Sequence, residues 1–231
     1  MMELSFVGTG GAFSRKYPNN SAYYIVDDKI ILFDCGETVF SEIIKNDILL
    51  NIKYIDIIIT HFHSDHVGSI GTLLFYCRYK GIKVNVIFPR EEIIEKLLNI
   101  FGINKNMYNI LLPNKVEDYY LKEYKQIHGD ICDGKLVEMP AYGYHLKIGN
   151  LNIFYSGDCS KVNKEVINLF KRKEIDTLYH EVATDGYKAH VDLKELQEMI
   201  DKEDRKRVVL MHMSDDINLK EIKSLGFKTA R

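Results

Sequence analysis

His61-Phe62-His63-Ser64-Asp65-His66 gathers three imidazoles and one carboxylate into six residues. Imidazole nitrogens and carboxylate oxygens are common ligands of divalent ions, and four of them at this spacing point to a metal site. An exposed or hydrogen-bonded ring would explain any one of these histidines, but not the cluster. The run before it, Tyr54-Ile55-Asp56-Ile57-Ile58-Ile59-Thr60, is short, β-branched and apolar, which predicts a strand covered on both faces. In extended backbone His61 and His63 point the same way and can share one ion. Asp65 and His66 follow where the chain must turn, aimed at a second ion beside the first.

Two further candidates end apolar runs. Asp158 follows Tyr155-Ser156-Gly157, so its carboxylate can emerge at the edge that carries His61; taken alone, Gly-Asp is an ordinary turn. His212 ends Val208-Val209-Leu210-Met211, where a core or surface histidine is the plain alternative. Ligands of imidazole and carboxylate without cysteine suit zinc, and manganese or iron tolerate the same set.

Periodicity and turn residues supply the elements that must position these groups. They predict a strand over 3–8 and a hairpin of 22–26 with 29–34 across Asp27-Asp28, then a helix over 38–45. After the histidines come a helix over 69–80, a strand over 84–88 and a helix over 91–101. The second half holds one or two strands within 114–137, a hairpin of 142–148 with 151–156, and a helix over 162–172. A strand over 177–180, a helix over 193–201 and a strand over 208–211 complete it. Two strand-rich halves, each finishing in strand and helix alternation, predict an α/β fold of two packed sheets with helices outside.

The 231 residues suffice for a sizeable core, and without a Pro-, Gly- or Ser-rich linker they read as one domain over 1–231. Thirty-one basic and thirty-three acidic residues leave a net charge of −2, which offers no global attraction to nucleic acid. With no apolar run of membrane-spanning length and no leader pattern, the expected location is the cytoplasm. Cys35, Cys77, Cys132 and Cys159 are scattered and read as free thiols.

In order along the chain, His61-Phe62-His63-Ser64-Asp65-His66, Tyr155-Ser156-Gly157-Asp158 and Leu210-Met211-His212 resemble the ligand motifs of the metallo-β-lactamase-fold hydrolases. The branch most resembled is that of ribonuclease Z and its small phosphodiesterase relatives, through Gly8-Thr9-Gly10-Gly11, His180-Glu181-Val182-Ala183-Thr184, His190 and Met211-His212-Met213-Ser214. The resemblance implies an αββα sandwich of two mixed sheets and a two-metal site. His61 and His63 would hold one ion, Asp65, His66 and His212 the other, with Asp158 between them.

One ligand is absent from its expected place. Such enzymes carry a third histidine just before a Gly-Tyr strand, yet Gly143-Tyr144 follows Val137-Glu138-Met139-Pro140-Ala141-Tyr142. His128, in Ile127-His128-Gly129-Asp130, resembles the family's His-Gly step if the chain after it is extended; His145, inside the strand, and no third histidine are the alternatives.

The implied chemistry is hydrolysis of a phosphodiester by a hydroxide bridging two divalent ions. Asp65 would orient that water while binding metal. His190 would protonate the leaving alkoxide, with Glu181 fixing its ring. Ala189-His190-Val191-Asp192 also reads as a helix start capped by Asp192, which is compatible with that role. The tRNA-processing enzymes carry a long arm between the third histidine and the Gly-Asp motif. Only thirty positions separate His128 from Asp158, so the expectation is a small substrate such as a cyclic nucleotide or cyclic phosphate.

Residues 99–124, with Ile100, Phe101, Ile103, Met107 and Tyr108 among them, could form a lid or a homodimer contact. The same hydroxide attacks carbonyls, so a thioesterase or lactonase is an alternative, as is an endoribonuclease related to ribonuclease Z.

Overall fold

The computed structural model describes residues 3–183 and 188–230. The chain forms β1 (Ser5–Gly8), β2 (Ser21–Val26), β3 (Lys29–Phe33), α1 (Val39–Lys45), β4 (Tyr54–Ile58), α2 (Ser64–Val67), α3 (Ile70–Lys80), β5 (Lys83–Ile87), α4 (Glu91–Ile100) and β6 (Asn109–Leu111). The rest follows as β7 (Tyr120–Gln126), β8 (Gly129–Cys132), β9 (Lys135–Glu138), β10 (Ala141–Ile148), β11 (Leu151–Tyr155), α5 (Lys164–Lys171), β12 (Thr177–Glu181), α6 (Leu193–Met199), β13 (Val208–Met211), α7 (Leu219–Ser224) and β14 (Lys228–Thr229).

Two six-stranded mixed sheets result, ordered β1-β2-β3-β4-β5-β6 and β14-β13-β12-β11-β10-β7. Strand periodicity dictates how they stack. In β3, Ile30 and Leu32 face the helical layer with Val39, Ile43, Leu73 and Leu74, while Ile31 and Phe33 face the other sheet. On that inner side they meet Tyr144, Ile153, Tyr155 and Met211, and Phe33 stacks on Tyr155 with ring centroids 4.4 Å apart. Val166, Phe170, Leu196 and Ile222 cover the outer side of the second sheet. The order is helices, sheet, sheet, helices, as the motif order implied.

Parallel pairing of β3, β4 and β5, and of β11, β12 and β13, points successive strand ends one way. His61 and His63 follow β4, Asp158 follows β11, Glu181 ends β12 and His212 follows β13. Every chemical candidate of the sequence except His145 therefore has its backbone near one rim of the sandwich.

Three local expectations change. The metal motif is not all loop, since α2 begins at Ser64 and precedes the longer α3. Segment 99–124 divides: Ile103 and Tyr108 join the core and Asn109–Leu111 form the edge strand β6, while Ile100 and Phe101 stay outward. Within 114–137 the chain builds β7 and then a separate two-stranded hairpin, β8 with β9. The helix predicted from Ser69 starts at Ile70, and the Asp192 side chain accepts from Lys194 N at the start of α6, the cap expected there.

Candidate metal centre

Gly157 sets the geometry where the two sheets meet. Its φ of +57° lies in the left-handed region, and a Cβ there would sit 2.7 Å from Thr60 Cβ, so only glycine lets β11 close against the turn that carries His61. Asp158 then enters the centre fully buried. Gly36 answers the same need below, where a Cβ would strike the carbonyl oxygen of Asp65 at 1.8 Å.

His61 Nε2 and His128 Nε2 each lie 3.1 Å from His63 Nδ1, so three ring nitrogens face one point. The outer nitrogens are committed elsewhere. Thr60 Oγ1 donates to Asp34 Oδ2 (2.8 Å), leaving its lone pair to accept from His61 Nδ1 at 3.0 Å. His128 Nδ1 donates to the Ala189 carbonyl at 3.0 Å. Both rings therefore present a bare lone pair at Nε2. Burial lowers the pKa of His61 well below the ordinary range and also lowers that of His128, which keeps each in the neutral, ligating form.

A second group lies alongside. His66 Nε2 is 3.3 Å from Asp65 Oδ2 and 3.3 Å from Asp158 Oδ2, and His212 Nε2 is 3.2 Å and 3.3 Å from the same two oxygens. Asp158 Oδ2 also stands 3.8 Å from both His61 Nε2 and His128 Nε2, between the two groups. Its other oxygen is buried with no hydrogen-bond partner among the described residues.

The donor chemistry fits metal. Lone pairs and carboxylate oxygens converge, so a cation satisfies what no neighbouring donor does. His66 shows the strength of this field: burial opposes its charge, yet Asp158, Asp65 and Asp34 hold its pKa well above the ordinary value. Both groups, His61-His63-His128 and Asp65-His66-Asp158-His212, are compact enough to hold an ion.

Asp34 is the functional neighbour that the sequence reading passed over as the end of a hairpin. It is fully buried, takes His66 Nδ1 at 2.8 Å and accepts from Thr60 N at 2.7 Å, so one carboxylate orients rings in both groups. Burial raises its own pKa. The only signal in the sequence was an aspartate ending an apolar strand ahead of Gly36. Asp34 and His212 adopt φ of +61° and +55°, a conformation that costs L-residues on the order of 1–3 kcal/mol and persists where surrounding structure enforces it.

His190 stands at the open side. Its Nδ1 is 3.2 Å from Glu181 Oε2 and 3.8 Å from Asp158 Oδ2. Glu181 is held in turn, since its Oε1 accepts from the backbone N–H groups of Cys159 and Val191. Burial lowers the His190 pKa, but Glu181 and Asp158 outweigh it and raise it to about 9. Thr184, the last residue of the segment that follows Glu181, lies outside the described residues.

His128 and His145 occupy different places in the fold. His128 is 1% exposed and points at His63, whereas His145 hydrogen-bonds Asn152 Oδ1 at 2.8 Å and packs edge-on to Tyr120 in the second sheet. Between His128 and the Gly143-Tyr144 strand the chain forms the β8–β9 hairpin, and Met139 N returns to the His128 carbonyl at 2.9 Å to close it. His128→Ala is expected to weaken metal binding 10- to 100-fold while His145→Ala leaves it unchanged. Titration of the metal-free variants by calorimetry checks this, and equal affinities would remove His128 from the site.

Paired sheets with imidazole and carboxylate groups on one rim, joined by Asp158, define a metal-dependent hydrolase of the metallo-β-lactamase fold. A solved metallo-β-lactamase fold protein, YhfI from Bacillus subtilis, superposes with a TM-score of 0.75 at 16% identity over 98% of this chain and 94% of that one. The chain belongs to the family of the anti-Pycsar protein Apyc1, whose family model matches residues 2–229. The Apyc1 of Paenibacillus sp. (strain J14) is 28% identical over 233 residues, covering 94% of this chain and 91% of that protein. Ribonuclease Z of Methanococcus maripaludis is 31% identical over 141 residues, 55% of this chain and 46% of its own length. The resemblance to the ribonuclease Z branch is thus borne out. Among the described residues, no helix is long and apolar enough to cross a membrane.

Proposed function

We propose that the protein is a phosphodiesterase that opens the phosphate ring of a cyclic nucleotide, with His61, His63 and His128 holding one divalent cation and Asp65, His66 and His212 a second. Asp158 would bridge the two. Zinc suits this ligand set, with manganese or iron as alternatives. Two such ions, when bound, would supply Lewis-acid charge and lower the pKa of a water toward neutrality.

The protein's own residues do the rest. Asp65 accepts a hydrogen bond from the attacking water and aims its lone pair at phosphorus. As the new P–O bond forms, the bond to one ribose oxygen breaks. His190 keeps its Nδ1 proton on Glu181 and delivers the proton of its other nitrogen, Nε2, to that departing oxygen. Glu181, tied down by two backbone N–H groups, fixes the ring through its Nδ1.

The observation that carries this reading is the Glu181–His190 pair, with His190 Nδ1 3.8 Å from Asp158 Oδ2. A proton donor there serves a poor alkoxide leaving group, and a thiolate does not need one. The test is a panel of a 3′,5′-cyclic nucleotide, bis(4-nitrophenyl) phosphate, a thioester and a lactone, with products identified by mass. The expected result is a nucleoside monophosphate from the cyclic nucleotide at the highest kcat/KM. Preference for the thioester or lactone would transfer the assignment to carbonyl hydrolysis.

The absence of a long arm favours a small substrate over tRNA: the β8–β9 hairpin after His128 spans only 129–138. The same reading retains one domain, a cytoplasmic location and a homodimer. Phe75, Tyr79 and Ile100 supply exposed apolar surface for the last, and a monomer in sedimentation would remove it.

A further inference from the structure

Beside His190 and His212 opens a cleft of about 210 Å³, lined by Phe13, Ser14, Val182, Ala183 and the two histidines. Its polar end is the catalytic rim and its outer wall is the loop after β1. On that loop Phe13 is 97% exposed, an aromatic ring presented to solvent with no share in the core. Exposed phenylalanines are often incidental, but this one is mounted on a braced support. Asp215 Oδ1 accepts from Ser14 Oγ at 2.6 Å and from Lys16 N at 3.1 Å, its Oδ2 accepts from Arg15 N at 3.0 Å, and Lys16 Nζ donates to the Asp215 carbonyl at 2.6 Å. The base of the loop pairs with the chain after His212, through Gly11 N to Met213 O at 3.0 Å and Met213 N to Thr9 O at 2.8 Å. The backbone that carries the ring is therefore tied to the turn that holds a proposed ligand.

We propose that Phe13 is the stacking platform for the nucleobase of the cyclic nucleotide, and so a specificity-determining residue of the site; this rests on the function proposed above. Two features fit this occupant. The cleft is continuous with His190, the group placed to protonate the leaving ribose oxygen, so a base attached to that ribose falls toward the loop. Beside Phe13 the cleft is lined by Gly11, Ala12, Val182 and Ala183, which leave room for a flat ring. Stacking is tolerant of base identity because every base has a π face, so Phe13 would select for a base without choosing among bases.

The experiment compares wild type, Phe13→Ala and Phe13→Trp on a 3′,5′-cyclic nucleotide and on the base-free analogue 1-O-methylribose 3′,5′-cyclic phosphate. Phe13→Ala is expected to raise KM for the nucleotide about tenfold with kcat nearly unchanged, because base–aromatic stacking is worth that much or more. Phe13→Trp keeps the wild-type KM, and the base-free analogue shows no difference among the three proteins. An unchanged nucleotide KM in Phe13→Ala overturns the proposal, as does an equal rise on the base-free analogue. An unchanged KM with a smaller particle in solution would assign Phe13 to contact between copies instead. Wild-type protein that cleaves bis(4-nitrophenyl) phosphate but no cyclic nucleotide refutes the proposed substrate as well, and so separates the two failures.

Discussion

His190→Ala is expected to lower turnover of a cyclic nucleotide by roughly 10²–10⁴, and turnover of bis(4-nitrophenyl) phosphate far less. The reason lies in the leaving group. A ribose alkoxide is a strong base that cannot depart at neutral pH without a proton, whereas 4-nitrophenolate departs unaided. Glu181 and Asp158 outweigh burial and raise the His190 pKa to about 9 before any cation binds, which places a proton on the ring beside the leaving group. Glu181→Gln should show the same selectivity more weakly, because the ring stays but its orientation is no longer enforced. Steady-state kinetics of the three proteins on both substrates reads the asymmetry. An equal loss on both would mean that His190 supports the metal groups or the fold.

The legible part of this molecule was the part written in short-range pattern. The short, mostly β-branched run before His61 reads as a covered strand, and three apolar runs each end in a candidate group: His61, Asp158 and His212. Parallel pairing of β11, β12 and β13 brings the ends that carry Asp158 and His212 together, and the stacking of the two sheets sets the end of β4 with His61 against them. His128 was ambiguous because it lies far in sequence from the Gly143-Tyr144 strand. The β8–β9 hairpin separates it from the Gly143-Tyr144 strand, and only the Met139 to His128 backbone bond shows that the chain leaves and returns at one point. Asp34 was missed for a different reason. Its work is done across the fold, on Thr60 and His66, and an isolated carboxylate at a strand end carries no spacing that announces a partner. Residues 99–124 were legible only as an apolar cluster, because side chains carry no mark of what they cover; Ile103 and Tyr108 close the first core while Ile100 and Phe101 stay outward.

Metal removal has the largest expected effect of all. Among the described residues, the two groups that meet at Asp158 contain acceptors with no donors to satisfy them, so hydrolysis should vanish when cations are stripped and return when they are restored. The fold should survive, because the inter-sheet core of Phe33, Tyr144, Tyr155 and Met211 is built without the site. The most direct measurement follows metal content by elemental analysis and cyclic-nucleotide hydrolysis on the same sample, through prolonged chelation and then stepwise addition of Zn²⁺ or Mn²⁺. The account predicts a metal-free, folded and inactive protein whose activity is regained as about two equivalents bind. Full hydrolysis by protein shown to contain no metal would contradict it.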